Sequence, residues 1–330
     1  MNFNFSYKSM ASVIALVFVL FYLLGVFWSF EPDTFDVKEK TINDAQVENV
    51  NPVVGYATST ALIHVAEHLL DKPGGYLSND VIPPSVFLDN IPNWEFGVLE
   101  MVRDMALSMR QSFSRSQSQS VQNQLLQNAQ PKFNIDSTKW VMPSAEGQYQ
   151  SAIDDLYKYR QELSDPSIQE SQFYARADNL SDYLRQVEKR LGSYSQRLSA
   201  SVGRDQLNTD LAGDKDAHQS TRTSSSALVK TSWWEIDDVF YEARGASWAL
   251  LHLLKAIEID FADVLQNKNA AVSLRQIIRE LESTQTTVWS PMVLNGSGFG
   301  LVANHSLVMA NYISRANAAL IDLRELLSQG

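Results

Sequence analysis

The positions from Ala11 to Phe30 are almost all apolar, and none of them is charged. An α-helix rises about 1.5 Å per residue, so a stretch of this length reaches across the roughly 30 Å hydrocarbon core of a bilayer. A cleaved signal peptide is the alternative, but its apolar core is shorter and is followed by small residues. Here the stretch ends in bulky residues, among them Phe27 and Trp28. The pattern therefore predicts an uncleaved transmembrane helix.

The charges beside this stretch bear on its orientation. Lys8 precedes it and Glu31 follows it. Basic residues favour the cytoplasmic side whereas acidic residues contribute little, and Lys38 and Lys40 on the far side weaken the bias. We predict a cytoplasmic N-terminus, with the bulk of the chain on the opposite side of the membrane.

Two later stretches carry apolar residues alternately three and four positions apart, which is the heptad spacing of helices that pack along a seam. A break at 164–167 separates the first seam from an amphipathic segment that begins at Tyr149. Because a short break favours antiparallel neighbours, we predict a helical hairpin over residues 149–201. The first seam comprises Phe173, Ala177, Leu180, Leu184, Val187, Leu191, Tyr194 and Leu198, and the second comprises Ile236, Phe240, Ala243, Ser247, Leu250, Leu254, Ile257 and Phe261.

The whole pattern predicts an all-α protein: a single N-terminal transmembrane helix, followed by a soluble helical-bundle domain with long heptad-patterned helices. No segment shows the strict alternation of a half-buried strand. The predicted parts are a tail at 1–9, the membrane anchor at 10–30, a tether at 31–57 and a helical domain at 58–330. Within that domain, residues 203–226 are polar and are predicted to form a mobile loop.

Composition narrows the classes of partner and chemistry. The formal net charge is -11, and an acidic surface repels phosphate backbones, so we expect no nucleic-acid partner. The chain has no cysteine. This excludes disulfides, thiolate metal ligands, a cysteine nucleophile and a lipid-modified cysteine.

One short motif suggests metal chemistry. His64, Glu67 and His68 form the pattern H-x-x-E-H, which is that of the inverted zinc peptidases. On a helix the two histidines are four residues apart and share a face, and the glutamate is placed to polarise a metal-bound water. Those enzymes also need a further acidic ligand and an α/β domain, whereas this chain is predicted to be all-α. An ordinary amphipathic helix carrying two histidines is the alternative.

Other histidines and tryptophans invite simpler interpretations. His252 lies among leucines, which predicts a core histidine with its hydrogen bonds satisfied. Trp233 and Trp234 open the second heptad segment, and adjacent helical positions cannot both face one core. We therefore predict that this pair contributes to an interface or contacts the membrane surface.

Three stretches together resemble one family. They read VGYATSTALIHVAEHLL (54–70), IPNWEFGVLEMVRDMALSMRQSFSRSQSQS (91–120) and VLNGSGFGLVANHSLVMANYISRANAALIDLRELL (293–327). With the N-terminal anchor, they resemble a family of uncharacterised membrane-anchored proteins of Gram-negative bacteria, known only as a domain of unknown function. The likeness covers almost the whole chain. It implies a bacterial inner-membrane location, so that the bulk of the chain is expected in the periplasm, and it implies no activity or cofactor.

These observations favour a membrane-tethered, non-enzymatic scaffold or adaptor of the cell envelope. Its expected partners are the membrane, into which it is integrated by one span, and envelope proteins or further copies of the chain. Two alternatives stay open: a membrane-anchored zinc-dependent hydrolase that uses His64, Glu67 and His68, and a helical domain that binds a small molecule. The sequence nominates no catalytic or cofactor-binding residue and no cofactor.

Overall fold

A computed structural model describes residues 7–117, 120–207, 226–290 and 292–329. Nearly all of the regular structure is helical, and the predicted all-α class is confirmed. One short antiparallel ribbon, β1 (Arg204–Leu207) with β2 (Ser226–Val229), is the exception. The helices are α1 (Tyr7–Trp28), α2 (Val37–Glu48), α3 (Tyr56–Asp71), α4 (Asn90–Ser108), α5 (Gln124–Phe133), α6 (Ala145–Ser164), α7 (Ala177–Ser199), α8 (Ile236–Asp260), α9 (Ala262–Asn267), α10 (Ala271–Thr284) and α11 (His305–Ser328).

Local sequence signals set several helix ends. The carboxylate of Asp36 accepts a hydrogen bond from the Glu39 amide at 3.0 Å, and so caps the N-terminus of α2. The side chain of Asn304 caps α11 in the same way, through the Leu307 amide at 2.8 Å. At the other end of α2, Asn49 adopts the left-handed conformation with φ 55°, which terminates the helix.

The centre of the bundle is the crossing of α4 and α8, which pack with almost no space between their backbones. A Cβ atom on Gly97 would lie 2.0 Å from the carbonyl oxygen of Glu242. A Cβ atom on Gly245 would lie 2.1 Å from the carbonyl oxygen of Trp94. Both distances are far below van der Waals contact, so only glycine fits at these positions.

The predicted hairpin over residues 149–201 is wrong in its pairing. Both segments are helices, but α6 packs against α3 and α5, whereas α7 packs chiefly against α11. Residues 165–176 between them include extended segments that carry the chain from one side of the bundle to the other. The heptad seam of α7 is nevertheless buried, from Leu180 to Leu198.

The stretch 31–57, predicted to be a tether, contains the helix α2, which packs on α3 and α8. It is therefore part of the fold rather than a free linker. In the predicted polar loop at 203–226, residues 208–225 lie outside the described residues, and β1 and β2 flank them.

The helix α1 leaves the bundle at one end, which we call the anchor end. Its last turns contact the segment 72–89, which connects α3 to α4. A Cβ atom on Gly25 would lie 3.6 Å from Leu88, and the ring of Trp28 lies against Gly74. At the opposite end, which we call the far end, Phe113 meets Phe261 with ring centroids 5.3 Å apart. The bundle helices run between these two ends.

Candidate functional site

The chain that follows α1 is bound to the bundle at three successive points, which together we call the junction. The first point is an ion pair between Glu31 and Arg244 of α8. The Arg244 Nε donates to Glu31 at 2.6 Å, and its Nη1 donates to the carbonyl oxygens of Thr284 at 2.8 Å and Thr286 at 2.9 Å. Burial raises the pKa of Glu31, although Arg244 acts in the opposite sense. One buried guanidinium thus joins the exit of α1 to the end of α10.

The second point is an aromatic stack around Phe35. Its ring lies on that of His252 with centroids 3.9 Å apart, and its backbone N–H donates to His252 Nε2 at 3.0 Å. The other ring nitrogen of His252 donates to the carbonyl oxygen of Trp248 at 2.7 Å. Burial lowers the pKa of His252 to about 3, so the ring is neutral. The predicted core histidine with satisfied hydrogen bonds is confirmed.

The third point is Arg160 of α6, which holds both acidic side chains of α2 that face it. Its Nη1 lies 2.5 Å from Asp44 and its Nη2 lies 2.6 Å from Glu48. The Nη1 also donates to the Thr60 hydroxyl at 2.9 Å. The side chain of Arg160 is only 2% exposed. A guanidinium presents donors in a planar fork, so one buried arginine fixes α2 against α3 and α6.

The histidines of the H-x-x-E-H motif lie on α3 within this junction, but they do not converge on one point. His64 uses both ring nitrogens: Nε2 lies 3.0 Å from Asp44, and Nδ1 lies 3.1 Å from Glu67. His68 instead donates from Nδ1 to the backbone oxygen of His64 at 2.6 Å. Its ring stacks on Phe35, with centroids 5.3 Å apart.

This arrangement offers little to a metal ion. Over the described residues, no group of three or more His, Asp or Glu side chains is placed to hold one. A zinc ion at His64 would have to replace one of its carboxylate partners, because imidazole binds a metal through one ring nitrogen. The metal site at His64, Glu67 and His68 stays a prediction, and the geometry favours a structural role for the motif.

The sequence model of one protein family matches residues 3–330, which is nearly the whole chain. That family is described as "Uncharacterized protein conserved in bacteria (DUF2333)". The chain belongs to the DUF2333 family. This confirms the predicted resemblance to a bacterial family of unknown function. No curated protein and no solved structure matches the chain.

The charge state of His64 makes the junction of this DUF2333 protein sensitive to pH. Burial alone lowers the pKa of His64, but hydrogen bonds to Asp44 and Glu67 outweigh it, and the net pKa lies above the ordinary value of 6.5. Burial raises the pKa values of Asp44 and Glu67, but hydrogen bonds with His64, Arg160 and Tyr157 outweigh it, and both pKa values lie below their ordinary values. The two carboxylates therefore favour the charged form of the His64 ring in the folded protein.

We predict that the stabilisation by His64 fades at alkaline pH. A raised pKa in the folded state means that the contribution is fully present below the unfolded pKa of about 6.5 and is lost as the pH rises through the higher folded value. His64→Gln should therefore lower the free energy of unfolding more at about pH 6 than at about pH 9. Denaturant unfolding of the full-length protein in detergent measures this difference.

His305 provides a control of opposite sign. Burial lowers its pKa, so the folded protein disfavours its charged form. The decrease in the free energy of unfolding caused by His305→Gln should therefore become smaller as the pH falls. If both variants respond to pH in the same direction, the ion pairs of His64 are not the cause.

Trp233 and Trp234 form a one-turn helix directly before α8. Both are exposed, at 67% and 78%, and their rings meet edge to face with centroids 4.8 Å apart. The side chain of Asn93 donates to Asp238 at 2.7 Å, which places the start of α8 beside the start of α4 at the anchor end. Neither tryptophan fills the core, so the pair is available to a partner or a membrane.

Sequence reasoning missed the two arginines that organise the junction. Arg160 and Arg244 lie in helices whose patterns indicate amphipathic packing, and nothing local distinguishes them from surface arginines. Arg160 lies 116 positions from Asp44, and Arg244 lies 213 positions from Glu31. Only the tertiary fold brings these charges together.

Proposed function

We propose that this DUF2333 protein is a single-pass inner-membrane protein whose helical domain is a non-enzymatic scaffold of the bacterial cell envelope. The observation that carries the proposal is the junction. Glu31, Phe35 and α2 join the exit of α1 to the bundle without a free linker. Such a connection presents the domain at a set position relative to the anchor, which is what a scaffold requires.

The character of α1 supports the membrane anchor. It spans 22 residues, its most apolar 18-residue window has a mean hydropathy of 2.7, and only 6% of that window is buried in the protein. A bilayer-spanning helix needs about 20 apolar residues. An exposed apolar surface of this size is rare in soluble monomers. The bulky residues at its end, Phe27 and Trp28, argue against removal as a signal peptide.

The ionisable groups with perturbed pKa values are paired with one another inside the protein, which supports a scaffold over an enzyme. Catalytic groups with perturbed pKa values normally face a cleft where a substrate can reach them. Here the perturbed groups His64, Glu67 and Asp44 are bonded to one another and to Arg160, Tyr157 and the helix that follows the anchor. Their pairing holds helices together and leaves the long helical faces for contacts with envelope proteins or further copies of the chain.

The anchor and its orientation are tested in cells. We expect the full-length protein to stay in the membrane pellet after extraction with alkaline carbonate. A fusion of alkaline phosphatase to the C-terminus should be active, because the bulk of the chain is proposed to be periplasmic. Release by carbonate would refute the anchor. Fluorescence from a C-terminally fused fluorescent protein that folds only in the cytosol would refute the orientation.

The scaffold is tested by crosslinking in intact cells. Photoreactive residues at exposed positions of one helix face, such as Arg185 or Lys189 of α7, should give discrete adducts with one set of envelope proteins or with a second copy. Exposed positions on α1 serve as the control for contacts due only to the shared membrane. A protein that gives no discrete adducts and is purified with stoichiometric zinc would support the hydrolase instead.

One cavity keeps the small-molecule alternative open. It has a volume of about 380 Å³, within the range of ligand sites, and lies between α8, α10, α11 and the loop that follows α10. Phe240, Val288, Trp289 and Tyr312 give it an apolar lining. Mass spectrometry of the purified protein under native conditions tests this function, since a bound molecule adds a defined mass that Tyr312→Ala should remove.

A further inference from the structure

The exposed aromatic side chains of the bundle are confined to short connecting segments. Beyond Phe30, which directly follows α1, the described residues include six of them. None lies in one of the helices α2 to α11. We call this set the aromatic rim: Phe87, Trp140, Trp233, Trp234, Trp289 and Phe299.

Two members of the rim lie in loops that adjoin α1. The segment that carries Phe87 also carries Leu88, which lies within van der Waals reach of Gly25 in α1. Trp140 follows Lys139, whose carbonyl oxygen accepts a hydrogen bond from the side chain of Asn79 at 3.0 Å. Asn79 belongs to the loop after α3, and the same loop packs on Trp28. Phe87 therefore lies in the segment that packs on α1, and Trp140 lies in a segment that is hydrogen-bonded to it.

The other four members reach the same end from α8, α10 and α11. Trp233 and Trp234 precede α8, whose start contacts the start of α4. Trp289 lies three residues after Thr286, which accepts a hydrogen bond from the guanidinium that holds Glu31.

Phe299 lies in the loop before α11. Asn295 of that loop donates to the Ser201 carbonyl at 3.0 Å, and the neighbouring Ala200 carbonyl accepts from the Thr231 amide at 3.0 Å. This loop is thus held beside the segment that carries Trp233 and Trp234. All six aromatics belong to the anchor end.

The far end has a different surface. Over the residues that the structure describes there, the exposed apolar side chains are aliphatic, such as Val47 at the end of α2 and Val272 at the start of α10. An even distribution of exposed aromatics would place some of them at both ends. Their restriction to the end from which α1 leaves indicates that this end has an apolar or interfacial environment.

The charges near the aromatic rim distinguish electrostatic attraction to anionic lipids from partitioning of aromatic side chains into the headgroup region. The charged residues in the connecting segments of the rim are mostly acidic, so electrostatic attraction to anionic lipids is not the driving force. Tryptophan and other aromatics partition into the headgroup region of a bilayer without needing net charge. The acidic residues are Asp80, Asp89, Asp136 and Glu235, and the basic ones at the surface are Lys139 and Lys230, whereas Lys72 of the same segments is buried in an ion pair with Glu95.

We propose that the aromatic rim is a bilayer-docking surface, which inserts into the interface of the membrane that α1 crosses. This inference rests on the proposed membrane anchor, because the rim is continuous with the exit of that helix. The junction keeps α1 and the rim in a set relation, so insertion of the helix brings the rim to the lipid headgroups. The anchor end of the bundle then contacts the membrane surface, and the far end points away from it.

The absence of cysteine permits a direct test with single labels on the full-length protein. Four variants, Leu16→Cys, Phe87→Cys, Trp234→Cys and Val272→Cys, each receive a spin label and are reconstituted in phosphatidylcholine nanodiscs. The accessibility of each label to lipid-soluble oxygen and to a water-soluble nickel chelate is then measured in separate samples. We expect labels at 87 and 234 to be severalfold more accessible to oxygen than to nickel, and the label at 272 to show the reverse.

The label at 16 separates failure of the docking surface from failure of the anchor. If it lies in lipid while labels at 87 and 234 are as open to nickel as the label at 272, the docking surface is refuted and the anchor stands. If the label at 16 is itself open to nickel, both proposals fail. Labels at 87 and 234 that are shielded from oxygen and nickel alike would indicate a protein contact at the rim, and would also refute bilayer docking.

Discussion

Replacing Gly97 by alanine is expected to destabilise the bundle by about 3 kcal/mol or more, toward the upper end of the cost of overpacking a core. The added methyl group would lie 2.0 Å from the carbonyl oxygen of Glu242 and 2.7 Å from the amide nitrogen of Ala246. Both atoms belong to the backbone of α8, so no side-chain rotation relieves the clash and the two helices must separate. Gly245→Ala, which meets the carbonyl oxygen of Trp94, should have a similar cost.

Tryptophan fluorescence during denaturant unfolding of the full-length protein in detergent measures this effect. Trp94 and Trp248 are buried at the crossing, with ring centroids 5.3 Å apart, so their emission reports its integrity. Gly192→Ala in α7 is the matched control, because its methyl group would meet only Asn317 at an ordinary 3.7 Å. Alanine is favoured over glycine in a helix, so this variant should be neutral or more stable by up to about 1 kcal/mol. Equal costs for Gly97→Ala and Gly192→Ala would show that the close crossing of α4 and α8 is wrong.

Replacing Arg160 by leucine is expected to cost about 3 kcal/mol, because removal of one partner of a buried ion pair leaves the opposite charges uncompensated. The change would leave the carboxylates of Asp44 and Glu48 without their common partner, and both are largely covered by protein. Arg160→Lys should retain part of the stability, since lysine keeps the charge but lacks the planar fork.

Arg185→Leu provides the comparison for this second variant. Arg185 pairs with Asp182 at 3.2 Å on the surface of α7, and both side chains are more than half exposed. Exposed pairs of this kind contribute about 0–1 kcal/mol. The denaturant midpoint of Arg160→Leu should therefore lie clearly below that of Arg185→Leu. Similar midpoints would mean that Arg160 does not fix α2 to the bundle.

Periodicity in the sequence was sufficient to predict several elements of this fold. The uncharged, largely apolar stretch forms most of α1, and the heptad seams of α7 and α8 are buried as expected. Periodicity shows which face of a helix is covered, but not which helix covers it. The seam of α7 faces α11 rather than α6, because residues 165–176 carry the chain across the bundle instead of forming a tight turn.

The junction illustrates what periodicity cannot show. The helix α2 has few apolar positions, and its buried residues are Val37, Thr41 and Ala45. Its attachment depends instead on ion pairs with Arg160, which is more than a hundred positions away along the chain. In sequence alone such a polar segment has the character of a linker, because the partners of its charges are distant along the chain.

The candidate site was predicted in part. The sequence identified His64, Glu67 and His68 as a group, and the structure places them together on α3. Their partners decide their role, and Asp44 and Tyr157 belong to other helices. The glycines at the centre of the bundle were equally invisible, since a glycine within a helix has a meaning only when the backbone opposite is known.

The helix α1 continues into the bundle through a folded junction rather than a tether. Hydrogen exchange of the full-length protein in nanodiscs, read on peptides that cover 37–48, tests it most directly. We expect protection of α2 that approaches that of α3, and loss of this protection in Arg160→Leu. Complete exchange of residues 37–48 at the earliest time, alongside a protected α3, would contradict it and restore the tether.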